Sequence, residues 1–126
     1  MSTASSPFVH LHQHTEYSLL DATVRIPDLM KKAKACGAPA VALTDHGNLF
    51  GAVEFYKEAE AHGLKPLVGC EVYMAPGSRK DKDAASARDA AYHFLLLAQD
   101  DVGYHNLLHL VTEAHLTGFY YKPRID

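Results

Sequence analysis

Three short stretches hold the side chains best suited to chemistry. His12-Gln13-His14 separates two imidazoles by one residue. In an extended chain, alternate side chains share a face, so both can reach one metal ion or two adjacent ions. The same pattern fits a solvated edge strand with incidental histidines. Thr44-Asp45-His46-Gly47 places a carboxylate and an imidazole directly after an apolar run, where the backbone is held and the side chains face a mouth. His46 is a candidate ligand there, and Asp45 a candidate for orienting a neighbouring imidazole. An ordinary turn with a helix cap has the same composition. Glu71 stands inside the otherwise apolar stretch 67–74 (LVGCEVYM), and a buried carboxylate is costly unless it is paired or metal-bound. Strand alternation offers surface placement as the other reading.

Other polar residues carry less information singly. His93 opens an apolar run and Asp21 falls in a turn-like segment, positions more typical of structural or capping residues. Cys70, beside Glu71, is either a soft ligand or a small buried hydrophobe, and the second is the more common use. His105 and His109 have helical i, i+4 spacing, but the glutamate of a metalloprotease helix is absent. Together with His62 and His115 they read as surface or satisfied histidines.

Positioning these groups requires alternating elements. Residues 8–14 (FVHLHQH) alternate two side-chain classes, which predicts a first strand with His10, His12 and His14 on one face. Pro27, the spacing of Leu29, Met30 and Ala33, and Gly37 predict a helix over 27–36. Residues 40–44 (AVALT) read as a buried strand ending at the Asp45-His46-Gly47 turn. Leu49, Ala52, Val53, Tyr56 and Ala59 predict an amphipathic helix closed by Gly63. Strands over 67–74 and 93–98 and a helix ending before Gly118 follow. The mixed-charge stretch 75–91 reads as a mobile surface loop. The fold class is therefore α/β, with parallel strands and helical crossovers, and functional side chains gather at strand C-termini. His93, at the start of its strand, fits that arrangement poorly.

Composition narrows the function classes. The chain has 126 residues, 48% hydrophobic and 21% charged, with a net charge of -3, as in one globular domain rather than a disordered or strongly basic chain. A domain of this size buries roughly two thirds of its unfolded surface, so its core needs no metal for stability. A metal would serve chemistry instead. The two cysteines, Cys36 and Cys70, lie far apart and no signal-like segment leads the chain, which predicts a reducing, cytoplasmic location. No apolar run approaches the roughly 20 residues of a membrane helix. The mild acidity argues against unaided nucleic-acid binding, which needs clustered Lys and Arg.

The segments FVHLHQHTEYSLLD, ALTDHGNLFGAVEFYKEA, KPLVGCEVYMAPGSR and GFYYKPRID, in this order, resemble the start of the bacterial DNA polymerase III alpha-subunit family. Chains of that family open with a polymerase and histidinol phosphatase (PHP) domain. The resemblance spans nearly all of 8–126, leaving 1–7 as an expected disordered tail. It implies the N-terminal part of a distorted PHP-type barrel with a cluster of up to three divalent ions, Zn, Mn or Fe, at the strand C-termini. His12, His14, His46, Glu71 and His93 match the family's ligands, Asp21 matches an acidic ligand, and Asp45 falls in the shell behind them. The remaining family ligands would lie beyond Asp126.

The implied function is a part of a DNA-directed DNA polymerase, contributing 3′-5′ exonuclease proofreading or structural support. In such a centre, adjacent divalent ions could generate hydroxide and stabilise the leaving oxygen of a phosphodiester. The implied partners are DNA, reached through the rest of the polymerase, and other replicative subunits such as a proofreading exonuclease or a sliding clamp. The competing expectations are a stand-alone phosphoesterase resembling histidinol phosphatase and a metal-free docking module.

Overall fold

Helix signals in the sequence translate directly into the elements of the computed structural model, which describes residues 8–82 and 91–126. Pro27 lies in the first turn of α1 (Ile26–Ala35), where its missing N–H costs nothing. Asp28 near the start and Lys32 and Lys34 near the end of α1 complement the helix dipole. Gly37, at φ 71°, then ends the helix in the left-handed conformation. β1 (Ala40–Leu43) follows and is buried throughout. α2 (Ala52–Ala61) leads into β2 (Lys65–Met74). After β3 (Tyr92–Leu97) comes α3 (Asp101–Leu116), whose N-cap Asp100 accepts a hydrogen bond from the Gly103 N–H at 2.8 Å. A two-residue strand, β4 (Arg124–Ile125), is the last element described.

β2 organises the sheet. Along one edge it pairs antiparallel with β3, from Gly69 opposite Leu97 to Met74 opposite Tyr92. β1 pairs parallel over Lys65–Val68 of β2, and β4 pairs parallel at Tyr73 and Met74. Since β3 already occupies one side of Tyr73 and Met74, β4 continues along the edge that β1 begins. The α/β class and the β1-α2-β2 crossover agree with the sequence reading. The β2–β3 pair does not follow the all-parallel expectation, because β3 runs back along β2, with Tyr92 opposite Met74 and Leu97 opposite Gly69.

Two apolar clusters flank the sheet. Ile26, Met30, Val41, Leu43, Phe55, Ala59 and Leu64 bury the α1–β1–α2 layer. Cys70, Val72, Leu107, Ala114 and Ile125 seal α3 and β4 against β2. Phe55, fully buried, alone contributes about 1.5–3 kcal/mol. The stripe read from the sequence is thus rotated: Val53 and Tyr56 are exposed and line a groove between α2 and α3, while Phe55 fills the core.

The expected first strand does not form. Residues 8–14 lack a strand ladder and are held at Gln13, which accepts a hydrogen bond from the Thr44 N–H at 2.9 Å and donates its own N–H to Thr44 Oγ1 at 2.7 Å. His10 packs edge-on against Phe8 at 4.7 Å rather than joining His12 and His14. Residues 75–82 are irregular, as expected of a surface excursion, but they are tied down. Arg79 reaches Asp126 at 2.5 Å and Glu113 at 3.0 Å. The buried Arg124 donates to the carbonyls of Arg79 and Asp81, each at 2.8 Å. The rest of the 75–91 reading, over 83–90, and the tail over 1–7 lie outside the described residues.

Candidate metal centre

The centre is built on a backbone junction between the end of β1 and the middle of β2. His46 and Glu71 form an isolated parallel bridge, in which the Glu71 N–H donates to Asp45 O at 3.0 Å and the Gly47 N–H donates to Glu71 O at 2.9 Å. Glu71 faces Leu95 across the sheet, so His93, two residues along β3, projects from the same face. Because β3 runs antiparallel, its start lies beside the C-terminal half of β2. This direction brings His93 to the end of the sheet where His46 stands, resolving the misfit noted in the sequence.

Four imidazoles converge on the Glu71 carboxylate, which is only 4% exposed. His12 Nε2 contacts Oε2, and His14 Nε2 lies 2.7 Å from the same oxygen. His93 Nδ1 contacts Oε1, and His46 Nδ1 stands 3.8 Å from it. The rings also pack together, with His14 and His46 centroids 4.1 Å apart and His46 stacked on Tyr73 at 5.8 Å. Asp21 sits at the mouth, exposed, with Oδ2 3.8 Å from His46 Nε2.

Electrostatics favour the metal-ligating forms of Glu71 and His46. Burial would raise the Glu71 carboxyl, but hydrogen bonds from His12, His93 and His14 outweigh it and hold the group at about 2. Burial, reinforced by the neighbouring His14, lowers His46 and favours its neutral imidazole. Tyr73 is raised by burial and then by Asp21 and Glu71, and stays a neutral phenol.

Asp45 has a different task from orienting an imidazole. It is fully buried, and its hydrogen bonds come from the Thr15 N–H at 2.6 Å, Thr15 Oγ1 at 2.7 Å and Ser18 Oγ at 2.6 Å. Ser18 Oγ in turn accepts the His46 N–H at 3.0 Å. Asp45 therefore clamps the segment after His14 to the β1 turn and reaches His46 only through Ser18. Thr15, Ser18 and Tyr73 went unread in the sequence, although Thr15 and Ser18 directly follow the H-x-H pair. Cys70 takes the hydrophobic role: it is buried in the second cluster and donates to Asp45 O at 3.3 Å. His105, His62 and His115 each bond a main-chain carbonyl, of Asp101, Glu58 and Gly47.

The donor set fits a metal. His12, His14 and Glu71 form one group, and His46, Glu71 and His93 a second, with the ligating atoms of each within 4.8 Å of one another. Glu71 belongs to both and could bridge them. Nδ1 of His46 is buried and, among the described residues, has no hydrogen-bond partner, the condition of a nitrogen whose lone pair is open to a cation. Imidazole and carboxylate together suit Zn, Mn or Fe.

Comparison with known proteins gives consistent results. A family model described as PHP domain matches residues 10–126. The chain is 52% identical over 121 residues to a DNA polymerase III subunit alpha of Borreliella burgdorferi, covering 96% of this chain and 10% of that protein. It is 54% identical over 122 residues to the same subunit of Thermus aquaticus, covering 94% and 10%. The chain thus spans about a tenth of the length of these relatives. Among solved structures, a protein from Bifidobacterium adolescentis described as a candidate metal-dependent phosphoesterase superposes with a TM-score of 0.62 at 24% identity, over 87% of this chain and 34% of that one. An amidohydrolase from Chromobacterium violaceum superposes with a TM-score of 0.56 at 22% identity, over 83% and 34%. These two likenesses concern the fold.

Proposed function

The chain belongs to the PHP domain family, and from that premise we propose that it is the N-terminal portion of the PHP domain of a bacterial replicative DNA polymerase III alpha subunit. Its role there is metal-dependent hydrolysis of the phosphodiester at a DNA 3′ end, in proofreading. The observation that carries the activity is the convergence of His12, His14, His46 and His93 on one buried carboxylate, Glu71. The polymerase setting is supported by about half identity to alpha subunits along nearly the whole chain. A stand-alone phosphoesterase is the poorer account, since the likeness to such a protein is at 24% identity.

In this mechanism His12, His14 and Glu71 would hold one divalent ion, and His46, Glu71 and His93 a second. Asp21, at the mouth, would add an acidic ligand. Such ions would supply Lewis-acid activation of water and neutralise charge on the phosphate. Glu71 keeps the two groups in register. Asp45, Thr15 and Ser18 fix the loop that carries the first two histidines. DNA and the other replicative subunits, such as a proofreading exonuclease or a sliding clamp, are engaged through the remainder of the polymerase. With a net charge of -3, the chain has little overall electrostatic attraction for DNA of its own.

The test is a labelled, mismatched primer-template incubated with Mn or Zn. The full-length protein carrying this chain is expected to trim the 3′ end, and its His12→Ala/His14→Ala variant is not. The 126 residues alone are expected neither to extend the primer nor to trim it efficiently. Robust trimming by the isolated chain would favour a self-sufficient phosphoesterase, and trimming by the double variant at the wild-type rate would overturn the assignment.

A further inference from the structure

Lys122 holds a cation beside the centre in an arrangement the metal ligands do not require. The chain before β4 makes a tight turn: the Tyr120 N–H donates to Lys122 O at 3.1 Å, and Tyr121 adopts φ 58°, a left-handed conformation that is uncommon outside glycine and asparagine. The next residue, Pro123, seats this turn on Gly47. A Cβ placed on Gly47 would come within 2.7 Å of Pro123 Cγ and 3.2 Å of Tyr73. The turn is therefore docked directly beside His46, and it lays Lys122 Nζ over the Tyr73 ring, 4.5 Å from its centroid. The same ring is stacked on His46 and meets His93 edge-on at 5.0 Å. The Tyr73 ring thus touches both the ammonium and two candidate ligands.

Among the described residues, no carboxylate lies within ion-pair distance of Lys122, whose side chain is exposed. A flexible cation with a fixed resting place and no protein anion has its charge available for an incoming one.

We infer that Lys122 is a phosphate-binding residue of this centre: its ammonium takes a non-bridging oxygen of the phosphate group brought to the metals. The inference rests on the reading of the centre as phosphodiester-cleaving. It assigns Lys122 to holding the substrate phosphate, and Tyr73 to positioning Lys122 relative to His46 and His93. Lys122 adds a cation at the rim beside the metal groups, where its ammonium can donate a charge-assisted hydrogen bond to a phosphate oxygen.

The experiment titrates inorganic phosphate into the Mn-loaded, full-length protein by calorimetry. It compares wild type, Lys122→Ala, Lys122→Arg and, as a control on α2, Lys57→Ala, with metal content measured in each. Lys122→Ala is expected to weaken phosphate binding about tenfold, the size of one charge-assisted bond. Lys122→Arg and Lys57→Ala should stay near wild type, and all four should carry equal metal. On a 3′-labelled strand, Lys122→Ala should raise KM with little change in kcat. Unaltered phosphate binding by Lys122→Ala would overturn the inference, as would a wild type that binds no phosphate or a loss of metal from Lys122→Ala. If phosphate binding depends on Lys122 but the wild type cuts no DNA, the proposed activity falls and the phosphate site stands. If the wild type cuts DNA and Lys122→Ala matches it in both binding and KM, the reverse holds.

Discussion

His46 and Glu71 face each other across a parallel β-bridge, with His46 Nδ1 3.8 Å from Glu71 Oε1. The two backbones from which these side chains project are therefore held together by main-chain hydrogen bonds on both sides of the pair, rather than carried on a flexible loop. A centre anchored in this way is preorganised, which is what metal chemistry asks of its scaffold.

Asp45 supports that anchor from behind. Asp45→Asn replaces an acceptor-only carboxylate by a group that presents its amide protons to the donors at Thr15 and Ser18. At a fully buried position this should destabilise the fold by about 2–3 kcal/mol. It should also weaken metal binding, because His12 and His14 precede the clamped segment. Urea denaturation and metal titration of the variant check both, and stability equal to wild type would refute the clamp.

Acid should act on the metal-free protein through Glu71. Its folded pKa, about 2, lies below the ordinary 4.5. The group therefore contributes stability that is fully present above the ordinary value and is lost as pH falls from there toward about 2. Urea midpoints measured between about pH 5 and about pH 3 should fall more steeply for wild type than for Glu71→Gln. Parallel curves would show that Glu71 is not held by the imidazoles.

Thiol chemistry distinguishes the two cysteines. Burial pushes Cys70 up to about 12, so it remains a neutral, inaccessible thiol at ordinary pH. Cys36 is exposed. A maleimide should label one thiol per native chain, at Cys36, and two after denaturation. Rapid native labelling of Cys70 would contradict its place in the core.

Much of this was legible in the sequence because the signals are local. Pro27 and Gly37 bracket α1, and the apolar run before Thr44 is β1. The H-x-H pair, His46 and Glu71 announced themselves by residue type against an apolar background. What escaped the sequence depends on distant partners. The antiparallel course of β3 is decided by its register with β2, and residues 8–14 are held by Thr44 rather than by a ladder. The strand at Arg124 exists because Gly118 lets the backbone approach, where a Cβ would lie 1.9 Å from Arg124 O. Phe55 and Tyr56 are adjacent, and only the packing of α1 on α2 determines which of them enters the core.

The most direct test of the centre is elemental analysis of the full-length protein and its Glu71→Gln variant after exhaustive dialysis. Glu71 belongs to both ligand groups, so the variant should lose metal from both, while a folded far-UV spectrum shows that the scaffold survives. Metal retained by Glu71→Gln at the wild-type stoichiometry would contradict the account.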